Sequence, residues 1–381
     1  MTINTARALL RLLAAAIDAG GELCAHDREL IKGNIDDIYT FSKNNDMAHL
    51  VGYALEKEGL IETQNTLFKP FQTEQYTAIF RQEKQEYELA RICDALEEAE
   101  IDFIPLKGAV IRRLYPEPWM RTSCDIDILV RKEDFASAKK CMLEDLGYKQ
   151  GKESLHDESF DSGGKVHIEL HFDLLEDGRA ESAAKIIQNV WSHTKSAEGK
   201  EHRRIMSDEM FYFYHIAHMA KHFEDAGIGI RPFLDLYLLT RNEQNAEKRR
   251  ALLAQGGLDA FEEVARALTD AWFRGAELDR LGMKAELFVF KCGTYGSEQN
   301  RILLAKEKNG GRSGYILSRI FMPYDSIKYS YPILKKHKWL LPFCQVARWF
   351  KLLSPKQAKS AAREIKNLKA LLRDVGLKKT V

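Results

Sequence analysis

Residues 106–130 read LKGAVIRRLYPEPWMRTSCDIDILV, and the last six of them decide the fold. Asp125, Ile126, Asp127 and Ile128 alternate polar with apolar, and Leu129 and Val130 carry the apolar run on. That pattern predicts a strand whose first residues have one wet and one buried face. Side chains two apart on a strand share a face, so Asp125 and Asp127 point the same way. Ile126, Ile128 and Val130 take the opposite face and anchor the strand to a core. Two carboxylates side by side repel each other unless a cation sits between them. Magnesium meets that need with oxygen ligands and leaves room for substrate phosphates.

Just upstream, IDFIPL at 101–106 is a short β-type run closed by Pro105 and then Lys107-Gly108. Ala109 to Tyr115 reads as a helix begun after that glycine and broken by Pro116 and Pro118. A glycine there permits close backbone approach to phosphates, and a helix N-terminus favours anions. Arg121 precedes the aspartates and is placed to meet a phosphate bidentately. Downstream, Lys132 to Leu146 reads as a helix with Gly147 as its C′ residue, and Tyr148 to Gly164 as a weak hairpin. Lys165 to Phe172 alternates strictly and predicts a strand with His167, Glu169 and His171 on one face. Beside the DIDILV strand, Glu169 becomes a third carboxylate for the same metal, or a base for an incoming hydroxyl.

Farther out, the pattern turns helical on both sides. Residues 1–99 form a helical region, and Thr73 to Ala99 is rich in good helix formers. An α/β core over 100–206 follows, then a helical region over 207–381. The class expected is α+β, a small mixed sheet flanked by helices. The chain has 381 residues, 45% hydrophobic and 30% charged, and a net charge of +1, so no global field selects a polyanionic partner. The six cysteines lack CxxC spacing and read as free thiols of a cytoplasmic protein. No uninterrupted apolar stretch reaches membrane-spanning length.

His215, His218 and His222 lie on one helix face beside Lys221, as a wall of the site, a zinc site, or packed histidines. Arg231 opens a helix with Asp235 one turn later, a spacing at which the two can pair with each other. Asn309 to Gly314 reads NGGRSG but lacks the ending and the preceding strand of a P-loop, so a surface loop is its plainer reading. The segment from Tyr331 to Val381 holds 13 Lys and Arg against Glu364 and Asp374, with aromatics interleaved. Packing of those aromatics on the helical core, peripheral membrane contact and polyanion contact are its readings.

The run 106–130 resembles the polymerase-beta-like nucleotidyltransferase superfamily. It is similar in particular to an uncharacterised bacterial nucleotidyltransferase family with a KG…Y…R…DIDLLV pattern. Glu169-Leu170-His171 matches that family's ELH-type strand, and Lys221, His222, Arg231 and Asp235 match its KH…R…D run. The resemblance implies transfer of a nucleoside monophosphate from a nucleoside triphosphate, with two Mg²⁺ held by Asp125, Asp127 and Glu169. It implies nucleotide binding by Lys107, Gly108, Arg121, Lys221, His222, Arg231 and Asp235. The acceptor stays open among a small molecule, peptide, protein or RNA. One departure matters: the superfamily's Gly-Ser after the first strand is Lys107-Gly108-Ala109 here, so Lys107 is expected to replace the serine as phosphate ligand. The rival readings are a glycosyltransferase holding a sugar nucleotide on the DxD pair, and a nucleotide-binding module without catalysis.

Overall fold

The computed structural model describes residues 1–18, 23–174, 181–225, 227–241, 243–291, 341 and 370–377. Helices α1 (Ile3–Ile17), α2 (Ala25–Lys32), α3 (Ile35–Asn44) and α4 (Ala48–Lys57) precede α5 (Phe68–Glu98), the longest. Thr2 caps α1 by accepting from the Thr5 amide at 3.1 Å, and the leucines that follow are buried. The central region then runs β1 (Phe103–Pro105), α6 (Gly108–Ile111), β2 (Asp125–Val130) and α7 (Phe135–Lys140). It continues with β3 (Lys149–Glu153), β4 (Asp157–Asp161), β5 (His167–His171), α8 (Glu181–Gln188), β6 (Thr194–Ser196) and β7 (Arg204–Met206). Helices α9 (Asp208–Asp225), α10 (Arg231–Leu239), α11 (Ala246–Gly256), α12 (Asp259–Phe273) and α13 (Arg280–Lys291) follow. This is the α+β class expected, with helices on both sides of a small mixed sheet.

The five-stranded sheet has the order β1-β2-β5-β4-β3. β1 lies antiparallel to β2, and β2 lies parallel to β5, with Asp127 opposite Glu169. The hairpin expected over 148–164 is β3 with β4, and β4 returns antiparallel to β5. Gly147 takes φ +66°, the left-handed turn that ends the helical stretch before β3.

Two clusters hold the fold. Leu89, Ile92 and Leu96 of α5 pack with Phe103, Ile126, Ile128, Val130, Phe160, Ile168 and Leu170 of the sheet. Each such side chain contributes on the order of 1.5–3 kcal/mol on full burial. The second cluster joins α1 and α4 to α9, α10 and α12, so the helices before and after the sheet share one interior. Arg7 on α1 reaches Glu286 on α13 at 2.7 Å across that interior. Leu371, Leu372 and Val375 also enter it, so 370–377 packs internally. The aromatic residues of the basic segment, the NGGRSG run, Cys292 and Cys344 lie outside the described residues, so the membrane and polyanion readings of the segment rest on sequence alone. The other four cysteines are free thiols. No helix among the described residues is long and apolar enough to cross a membrane.

Candidate functional site

β1 stops at Pro105, and the Leu106 amide donates to the Asp127 carbonyl at 3.0 Å, holding the two strand ends level. Lys107 then takes φ +41°, a conformation that costs a non-glycine residue about 1–3 kcal/mol. This backbone reverses the chain into α6 and sets the Lys107 ammonium 3.0 Å from Asp127 Oδ1. A Cβ at position 108 would stand 3.0 Å from Ser123 Cβ, so close packing against Ser123 favours glycine there. Ser123 is itself engaged, accepting from Arg112 at 2.7 Å and donating to the Asp125 carbonyl at 3.0 Å.

Arg112 drew no attention in the sequence, and it organises this turn. It is buried, and it donates to the Gly108 carbonyl at 2.8 Å and to Gln85 at 3.0 Å, with Gln82 as a further partner. Burial pulls its pKa down to about 10. The signal in the sequence is slight, since Gln82 and Gln85 sit thirty residues away on a helix of polar appearance.

The acids lie as their spacing predicts, with one correction. The face they share is partly exposed at Asp125 and Glu169 but closed at Asp127, which is only 3% exposed, roofed by Lys107 and by His171, whose Nε2 lies 2.9 Å from Asp127 Oδ1. Glu169 is half-buried beside it, its Oε2 3.6 Å from the same His171 nitrogen. Ligand atoms of Asp127, Glu169 and His171 all lie within 4.8 Å of one another. This is the single group of three metal-ligating side chains among the described residues. Asp125 borders the same cleft rather than joining that trio, and it stands in the field of both other acids. His171 is the member that sequence reasoning placed on the right face without giving it a part.

The electrostatics separate these groups. Burial, and then the charges of Asp127 and Glu169, push Asp125 up to about 6. Burial acts on Asp127 in the same direction, but Lys107 and His171 outweigh it and hold the carboxyl far below the usual range. Burial opposes the charge on His171, and its bonds to Asp127 and Glu169 prevail, lifting it to about 9. Burial likewise opposes the charge on Lys107, and Asp127 raises its pKa nonetheless. Three carboxylates converge on two cations, a surplus of negative charge that invites another cation. Hard carboxylate oxygens suit Mg²⁺, and the Lys107 ammonium stands against Asp127 where a cation would be drawn.

A cleft of 280 Å³ opens beside the acids, with α9 and α10 forming its far wall. Every sequence-predicted site residue but Glu169 lines it: Lys107, Gly108, Arg121, Asp125, Asp127, Lys221, His222, Arg231 and Asp235. The far wall differs from expectation in its pairings. Arg231 and Asp235 do not pair. Arg121 takes Asp235, through Nε to Oδ1 at 2.7 Å and Nη2 to Oδ2 at 2.7 Å. Tyr115 donates its hydroxyl to Oδ1 of the same aspartate at 2.8 Å. Arg231 instead reaches Asp46 at 2.7 Å and the Thr122 carbonyl at 3.2 Å. Its buried Nε has no hydrogen-bond partner among the described residues.

The three histidines of α9 do not gather. His215 Nε2 lies 3.0 Å from the Pro232 carbonyl, and His218 and His222 meet each other through Nε2 at 3.1 Å. Burial is the largest influence on His215 and lowers its pKa, which keeps the ring neutral. A three-histidine zinc site is therefore not present.

With this geometry in hand, comparisons with known proteins can be placed. The model of an uncharacterised nucleotidyltransferase family matches residues 32–274, which span both walls of the cleft. No curated protein matches the chain. Among solved structures, the solution structure of the antibiotic-resistance factor ANT(2'')-Ia is similar at 16% identity and a TM-score of 0.34. That match covers 49% of this chain and 96% of the other.

Proposed function

We propose, for a chain that belongs to the uncharacterised nucleotidyltransferase family, that this cleft moves a nucleoside monophosphate from a nucleoside triphosphate to a hydroxyl or phosphate acceptor, releasing pyrophosphate. The observation that supports the reading is the gathering of Asp127, Glu169 and His171, with Asp125 on the same face of β2 bordering a cleft that carries Lys107, Lys221 and Arg231. Asp127 and Glu169, adjacent across parallel strands, would hold Mg²⁺, and Asp125 would add a carboxylate from the same face of β2. Bound there, the ions supply charge neutralisation for the triphosphate and a lowered pKa for the attacking hydroxyl.

The protein's own groups do the rest. Lys107 compensates Asp127 and presents its ammonium to the outer phosphates, in the place of the serine that this chain lacks. Arg231 offers the donors that Asp46 and Thr122 leave over, and Lys221 and His222 add polar donors from α9. Glu169, partly exposed beside Asp127, takes the proton of the acceptor hydroxyl. His171 fixes the carboxylates of Asp127 and Glu169 so that they need not reorganise during transfer. The glycosyltransferase reading loses its ground, because its DxD pair would belong to another family.

The test is incubation with Mg²⁺ and each labelled triphosphate in turn, across pools of small molecules, peptides, proteins and RNA. Pyrophosphate release with a labelled monophosphate adduct is the expected result. Glycosyl transfer from a sugar nucleotide with no pyrophosphate released from a triphosphate, or turnover undiminished by a chelator, would contradict the proposal.

A further inference from the structure

The longest helix carries a face that the described fold leaves uncovered. α5 buries Gln82, Gln85, Leu89, Ile92 and Leu96, while Tyr76, Phe80 and Tyr87 are 64%, 63% and 65% exposed. Single exposed apolar residues are ordinary on a protein surface, but a row of aromatic rings on one helix face marks a contact surface. Thr73, Glu83, Ala90 and Asp94 are also exposed and fall on the same face. Steps of three and four residues connect all seven positions, the spacing that keeps a stripe on one side of a helix. From Thr73 to Asp94 it runs roughly 32 Å.

We propose that this face pairs with the same face of a second copy of the chain, antiparallel, about a two-fold axis passing between Glu83 and Lys84. In such an isologous contact, one residue meets another and the second returns the contact to the first. Positions equidistant from the axis then meet. Phe80 faces Tyr87 of the second copy, and the two rings stack or meet edge to face. Glu83 faces Lys84 of the second copy, and both ion pairs lie at the centre. Tyr76 faces Arg91, a ring against a guanidinium. Thr73 faces Asp94, a hydroxyl that donates to a carboxylate.

The self-complementarity is specific to this register. A slide of one helix turn in either direction separates Glu83 from Lys84 of the second copy, and in one direction it brings Phe80 against Glu83. The cations are also held in place beforehand. Lys84 Nζ lies 4.7 Å from the centre of the Phe80 ring while donating to the Gly164 carbonyl at 3.1 Å, and the Arg91 guanidinium lies 5.8 Å from that of Tyr87 while donating to Glu88 at 3.0 Å. Such preorganisation lowers the entropic cost of association. One helix pair of this length buries less than a standard interface, so the dimer is a weak one, with dissociation in the micromolar range.

Sedimentation velocity on the full chain over a concentration series tests this. A dimer whose population rises with concentration is expected. Phe80→Glu should weaken it at least about tenfold while leaving the melting curve in place. Glu83→Lys and Lys84→Glu should each weaken association, because like charges then meet at the axis. The double variant carrying both should restore it, since the pairs reform with reversed sign. A chain that stays monomeric into the millimolar range would overturn the proposal. So would a dimer untouched by Phe80→Glu, or a double variant no better than either single one.

Discussion

The two walls of the cleft handle buried charge in opposite ways. On the sheet side, Asp125, Asp127 and Glu169 outnumber Lys107 and His171, and Asp125 is pushed up to about 6 by burial and by its neighbours. On the helical side, Arg121 and Asp235 neutralise each other in two parallel bonds, and Tyr115 adds a third. The first wall is incomplete without another cation. The second is complete as it stands and ties the segment before β2 to α10. On the proposed function, the difference separates residues that would do chemistry from residues that hold the cleft's shape, although both sets are charged.

The largest effect that sharpens this comparison is expected at Asp127. Asp127→Asn should lower turnover by about a thousandfold or more, since metal charge stabilisation is worth several kcal/mol. The fold should suffer as well, by about 2–3 kcal/mol, because Lys107 and His171 lose their counter-charge. Turnover and thermal melting measured together check both. Retained activity would remove Asp127 from the site.

Asp235→Ala should give the reverse profile. Breaking the buried pair leaves Arg121 uncompensated and should cost about 3–5 kcal/mol of stability. Activity per folded molecule should fall less than about tenfold, a change of under roughly 1.4 kcal/mol. An unchanged melting temperature with lost triphosphate binding would break the comparison and make Asp235 a ligand of the nucleotide.

Asp125→Asn should raise the melting temperature at neutral pH while abolishing Mg²⁺-dependent binding. The sign follows from its folded pKa of about 6, above the ordinary 3.8. The fold penalises the charged form, and that penalty is fully present above pH 6 and gone below about pH 4. Removing the charge should therefore stabilise by up to about 3 kcal/mol at pH 7, and by nothing at low pH. In the native chain, Mg²⁺ affinity should decline as pH falls through about 6, because Asp125 takes up a proton there. Calorimetric scans and metal titrations at several pH values check both trends.

The smallest effect is expected at Lys107. Lys107→Ala should weaken triphosphate binding more than monophosphate binding, by a few-fold. Part of the loss should be offset, because the variant no longer holds a cation against Asp127. Equal loss for both nucleotides would deny the ammonium its place at the outer phosphates.

The sheet side of the site was legible because its information is local. The alternation in DIDILV and in residues 166–172 gave two strands, with Asp125 and Asp127 on one face of the first and Glu169 and His171 on one face of the second. The helical side was not legible, because its pairings cross 114 residues between Arg121 and Asp235 and 185 between Arg231 and Asp46. Spacing suggested that Arg231 and Asp235 would pair as neighbours on one helix, yet each found a partner on a distant segment. The Arg112 network was invisible for the same reason. His171 was nearly readable, since it stood on the acidic face, but only the register of β2 with β5 shows which carboxylates it joins.

The metal site proposed for a triphosphate lies at the sheet-side acids. It is tested most directly by crystals grown with Mn²⁺ and a non-hydrolysable triphosphate analogue, with anomalous scattering to locate the ion. The account predicts a peak bridging Asp127 and Glu169 at about 2.2 Å from their oxygens, close to Asp125, with the triphosphate reaching toward Lys107. Manganese between His218 and His222 and none at the acids, or analogue bound away from β2, would contradict it.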